Sequence, residues 1–181
     1  MEKMKINLAQ IKVSVNFVLY NLGWVAAVIG ASKGSAFTGP CFAVFSLAIH
    51  LLIMQKTWIK ELKFVFVAVF IGSLFDSILA QLGYVTFAAN EYALFGVYPI
   101  WMSSLWAGFA TTLSLSLRWI KGRFILGAMF GALGGPASLY AGSRLGAAVL
   151  NGDQTQILLM SGVEWAALIP LIMYCHKKLI P

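Results

Sequence analysis

The sequence predicts an all-α integral membrane protein with six transmembrane helices and both termini in the cytoplasm. Three observations carry that expectation. The first is composition. Of 181 residues, 60% are hydrophobic and 10% charged, where a soluble domain carries about a quarter charged residues. Mean hydropathy is +0.85. The second is the run structure. A hydrocarbon core about 30 Å thick needs roughly 20 apolar residues as helix. Six segments meet that need, about 13–32, 36–54, 64–87, 98–117, 124–148 and 155–175. Period-2 alternation is absent and the runs are too long for strands, which argues against an all-β reading. The third is the placement of the 13 basic residues. With the N-terminus inside, the inner segments hold Lys3, Lys5, Lys12, Lys56, Lys60, Lys63, Arg118, Lys121, Arg123, Lys177 and Lys178. The outer segments hold only Lys33 and Arg144. Short translocated loops disfavour Lys and Arg, so this asymmetry fixes the orientation. The net charge of +7 then reads as membrane topology rather than a nucleic-acid-binding face. Residues 1–181 form one domain, with no internal repeat and no long linker. No signal peptide is expected, because the apolar run after "MEKMKINLAQIKVSVNF" is long and lacks an early small-residue cleavage pattern.

The first segment carries Asn21, in "LYNLGW", near its centre. The second ends about a turn after His50. Cys41 and Cys175 fall on opposite sides, as packed thiols rather than a disulfide. Glu61, in "QKTWIKELKF", stands just before the third segment. Within that segment, "GSLFDSILAQLG" holds Asp76, the only charged side chain from Phe64 to Asn90. At 1.5 Å per residue it lies roughly 18 Å deep, near the midplane. The fourth segment opens on Tyr98 and Trp101, which suit an interface, and closes on Arg118. Trp58 and Trp119 lie in the cytoplasmic loops, whereas Trp24 and Trp165 sit deeper and need partners in the bundle. The fifth has Gly127, Gly131 and Gly135 spaced by four, a stripe that lets another helix approach closely. Pro136 follows Gly134 and Gly135 and removes a backbone donor, so a kink or break is expected there. That break reads either as tight packing around a kink or as an unwound binding site. Arg144 follows, against the positive-inside trend, to hold an anionic group or to pair with Glu91 or Asp153. The sixth places Glu164, in "LLMSGVEWAALIP", near the midplane.

Asp76, Glu164 and Asn21 thus reach one depth from three helices. A lipid-facing carboxylate costs at least a few kcal/mol, so each acid is expected to face the bundle interior or water. Two carboxyls brought together in low dielectric do not both ionise cheaply, which is the logic of proton coupling and of acid–base pairs. The competing reading makes each acid a clasp, bonded to Asn21, Ser73, Ser77, Thr111 or Thr112. A second layer, His50, Glu61 and Arg118, is expected at the inner mouth, as a proton relay or as interfacial anchoring. HExxH, P-loop and CxxC motifs are absent. Only His50 and His176 offer imidazoles, and no metal or cofactor is expected. No lysine sits mid-membrane for a Schiff base, and ATP-driven action would need another subunit.

The chain resembles a family of small bacterial inner-membrane proteins, domain of unknown function 2878. The resemblance rests on "NLGW" at 21–24, "IHLL" at 49–52, Glu61 and Asp76. It continues in "PIWMSSLWAGFATTLSLSLRW" at 99–119 and "GALGGPASLYAGSRLG" at 131–146. It implies a multi-pass protein of the bacterial inner membrane and assigns no catalytic residue. Three functions follow as expectations. One is transport or capture of a small solute at the midplane polar set. Another is an enzyme acting on a lipid or isoprenoid-like substrate, with Asp76 or Glu164 as acid–base group and Arg144 or Arg118 holding a head group. The third is a structural subunit docking another membrane protein through helix five. The expected partners are the bilayer, a small-molecule or lipid ligand and such a membrane protein, and not nucleic acid.

Overall fold

The computed structural model describes residues 7–94 and 96–180. Lys3 and Lys5, counted above among the inner basic residues, lie outside them. Six helices follow in order: α1 Leu8–Ser32, α2 Thr38–Ile53, α3 Trp58–Gln81, α4 Ile100–Ser114, α5 Phe124–Arg144 and α6 Gln154–Leu179. A single 3-10 turn, Arg118–Ile120, links α4 to α5. Helices α1, α3, α5 and α6 are long and apolar enough to cross a membrane. With 16 and 15 residues, α2 and α4 are shorter, roughly 24 and 22 Å at the helical rise.

The second, fourth and fifth segments are shorter as helix than the hydropathy runs, and α3 keeps the length of its run but begins six residues earlier. Ends of three runs fall in strands instead. Helix α3 stops at Gln81 because Gly83 adopts φ +77, and α5 stops at Arg144 ahead of Gly146 at φ +83. At each stop the next amide turns back, Tyr84 N to Leu79 O and Ala147 N to Gly142 O, the hydrogen bond of a left-handed helix end. The two chains then run together, β1 Val85–Phe87 antiparallel to β4 Ala148–Leu150. Asn151 holds the junction by donating to Gly83 O and Thr86 Oγ1. A short hairpin, β2 Ala93–Leu94 with β3 Tyr98–Pro99, leads into α4.

Helix α4 packs against α1, α2 and α3, while α6 packs against α5 and α3. The glycine stripe of α5 faces α6. A Cβ at Gly131 would collide with the Trp165 carbonyl, and one at Gly127 with the Met173 sulfur. The stripe is thus used inside the chain. No break occurs at Gly134, Gly135 and Pro136, because α5 is helical throughout. Pro136 leaves the Ala132 carbonyl without its helical donor, and that oxygen faces Gly162 of α6, where an added Cβ would stand 3.1 Å away.

One apolar cluster gathers Val28, Leu79, Tyr98, Trp101 and Ile157. The other gathers Phe64, Trp106, Leu113, Leu168 and Ile172. The outward faces are equally apolar: Ile125 is 82% exposed, Val163 75% and Leu133 74%. Such a surface suits hydrocarbon rather than water, as expected of a membrane protein. Cys41 lies on it, exposed rather than packed, and Cys175 is half-buried.

Candidate functional site

Asp76 is buried on α3, and its partners are two indoles. Trp106 Nε1 of α4 donates to Oδ2 at 2.6 Å, and Trp165 Nε1 of α6 donates to Oδ1 at 3.2 Å. The rings lie tilted at 38° with centroids 4.7 Å apart. Glycines seat both. A Cβ at Gly72 would collide with the Trp106 ring, and one at Gly135 would stand 2.5 Å from Trp165 Cγ. One turn before the acid, α3 thus yields the room that lets a tryptophan from α4 reach it.

Glu164 of α6 directly precedes Trp165 and lines the same cavity as Asp76. Both of its carboxyl oxygens are buried and neither has a hydrogen-bond partner. Buried polar atoms are nearly always paired, and an unpaired carboxyl is costly to keep. Both acids line a cavity of about 70 Å³ enclosed by α1, α3, α4, α5, α6 and the β1–β4 pair. One water needs on the order of 10–15 Å³ on this measure, so there is room for several waters or a small head group. Tyr20, Trp24, Trp101, Trp106, Phe109 and Trp165 supply aromatic walls. Trp24 is tied down by donating to Ser138 Oγ at 2.9 Å. Outside the wall, the Tyr98, Ser73 and Ser103 hydroxyls are buried and none completes a hydrogen bond.

Asn21 is not at this site. It is exposed and donates to Phe17 O of its own helix at 2.8 Å. A local bond of this kind satisfies an asparagine without a partner helix. The buried asparagine of α1 is Asn16, which sequence reasoning passed over. It donates to Thr111 Oγ1 at 3.0 Å and accepts from Ser116 Oγ at 2.7 Å. Ser77 donates to Ser73 O, and Thr112 to Phe109 O, so neither serves the acids.

A second polar cluster joins four helix ends. His50 Nε2 lies 3.1 Å from Glu61 Oε2, Ser114 Oγ donates to the same oxygen at 2.8 Å, and His176 Nε2 lies 3.0 Å from Ser114 Oγ. With the serine proton on Glu61, the His176 Nε2–H donates to the serine. Glu61 is 0% exposed and sits in the first turn of α3, not before it. Its Oε1 and His50 Nδ1 remain unpaired. Arg118 stays out of this cluster. Helix α4 ends at Ser114, so the serine faces Glu61, and Arg118 is exposed beyond it. His176 takes the fourth place, a role that its distance in sequence concealed. Arg144 is exposed at the end of α5, and among the described residues no lysine or arginine pairs with an acid. Asp153 instead caps α6, accepting from Gln156 N at 2.7 Å. Among the described residues no three His, Cys, Asp or Glu side chains converge to hold a metal.

No curated protein and no solved structure matches the chain. A protein-family model does, over residues 13–171, and its description is "Protein of unknown function (DUF2878)". That match spans most of the 181 residues, so the chain belongs to this family.

Proposed function

We propose that the protein captures or transports a small solute through the Asp76–Glu164 cavity. The proposed setting is the bacterial inner membrane, with both termini in the cytoplasm. One observation carries the reading. Glu164 has two buried, unpartnered carboxyl oxygens and lines a cavity that the other acid, Asp76, also lines. A purely structural acid would be bonded, as Asp76 is. The docking reading is weakened because the glycine stripe of α5 is already taken by α6. The enzyme reading lacks a positioned head-group cation, since neither Arg118 nor Arg144 lines the cavity.

The test is a thermal-shift screen of the purified protein against amino acids, polyamines, nucleobases, sugars and vitamins. Binding to the folded state alone raises its stability. At least one solute class is expected to raise Tm in the wild type and in Glu61→Gln, and to lose its effect in Glu164→Gln and Asp76→Asn. Folded variants of both cavity acids that keep every shift would contradict the reading.

A further inference from the structure

The cavity shares part of its wall with a second space. A groove between α3 and α6 is lined almost wholly by apolar atoms, among them Ile78, Leu82, Leu159 and Val163. These four side chains are exposed on the outward face of the bundle, from 48% for Ile78 to 75% for Val163. Leu79 and Glu164 line both the groove and the cavity. A carboxyl therefore stands where an apolar, outward-facing groove meets an aromatic-walled chamber.

The chemistry of the chamber discriminates among head groups. Two carboxyls line it, and no lysine, arginine or histidine does. An anionic head would meet like charge and find both indole donors already committed to Asp76. A neutral hydroxyl could donate to Glu164 but would leave any carboxylate charge uncompensated. An ammonium head supplies that charge and is also attracted to tryptophan faces. An ammonium head lets one of the two carboxyls ionise beside it while the other keeps its proton, which matches a monocation.

Building on the capture reading above, we propose that the solute is an amphiphilic organic monocation. Its ammonium head sits at Glu164 and Asp76 among the tryptophan rings. Its apolar tail lies in the α3–α6 groove, so the solute reaches the chamber laterally from the bilayer past Leu79.

The test measures saturable binding to the protein in zwitterionic nanodiscs, above that to empty nanodiscs. The probes are octyltrimethylammonium, tetramethylammonium, 1-octanol and octyl sulfate. Octyltrimethylammonium is expected to bind at least about tenfold more tightly than each of the others, the scale of one well-made charged or apolar contact. Glu164→Gln should remove the preference for the cation over 1-octanol. Leu79→Phe, which narrows the junction and leaves the carboxyls in place, should bring octyltrimethylammonium down toward tetramethylammonium. It carries the test if Glu164→Gln does not fold. Equal binding of 1-octanol, or tighter binding of octyl sulfate, overturns the cationic class and leaves solute capture standing. A cation preference that Leu79→Phe does not touch overturns the lateral path. Saturable binding of none of the four overturns the proposal. Solute capture falls with it only if the metabolite screen is also blank.

Discussion

At the scale of single residues, Asp76 depends on two tryptophans, and each tryptophan depends on a glycine. Trp106→Phe keeps an aromatic ring, though a smaller one, and deletes the donor, leaving Oδ2 of a buried carboxyl unpaired. The expected loss is about 1–3 kcal/mol of stability, read by thermal or denaturant unfolding in detergent. Trp165→Phe should cost less, because its hydrogen bond is longer, 3.2 Å against 2.6 Å. Gly72→Ala acts on the same contact from the other side. Its methyl group meets the Trp106 ring, and overpacking of this kind costs roughly 1–3 kcal/mol. The Trp106 indole N–H resonance should shift in Gly72→Ala and stay in place in Gly134→Ala, since nothing lies within 4 Å of a Cβ at Gly134. An unmoved resonance and unchanged stability in Gly72→Ala would show that the glycine does not seat the ring.

Among the helices, the cluster of His50, Glu61, Ser114 and His176 ties α2, α3, α4 and α6 together at one end. Glu61→Ala removes the acceptor shared by two side chains and opens space at a fully buried position. The expected cost is roughly 3–5 kcal/mol, the range for breaking a buried polar pair from one side. Ser114→Ala leaves the His50–Glu61 contact intact and should cost less, by the same unfolding measurement. Much of this layer was legible in the sequence. Hydropathy located all six helices, and the helix-end positions of His50 and Glu61 set them in one layer, though with Arg118 in the place that His176 takes. The glycine spacing identified a close-packing face, and α6 covers it. The face that a polar residue takes was not legible. Asn16 and Asn21 share one helix, and only packing shows that the first is bonded across to α4 and the second to its own turn. The strands escaped notice because two- and three-residue pairings are set by contact, Val85 with Leu150, and not by alternation within either run. The indole partners of Asp76 lie 30 and 89 residues away in sequence, beyond any local signal.

For the molecule as a whole, the positive-inside distribution calls for both termini in the cytoplasm. An alkaline phosphatase reporter fused after residue 180 should be inactive in a bacterial host, and one inserted in the loop between α5 and α6 should be active. The opposite pattern would invert the topology and put the His50–Glu61 cluster on the outer side. Within that frame the central claim is that the Asp76–Glu164 cavity is reachable and negative, rather than a sealed clasp. The most direct measurement places a single cysteine at Ser161, a buried residue of the cavity wall, after Cys41 and Cys175 are changed to alanine. The folded protein in lipid is then exposed to a trimethylammonium-bearing and a sulfonate-bearing methanethiosulfonate reagent. A reachable cavity lined by carboxyls should react with the cationic reagent faster by about tenfold or more, and Glu164→Gln should shrink that ratio. No reaction with either reagent, or equal rates that Glu164→Gln leaves unchanged, would contradict the claim and make the two acids structural.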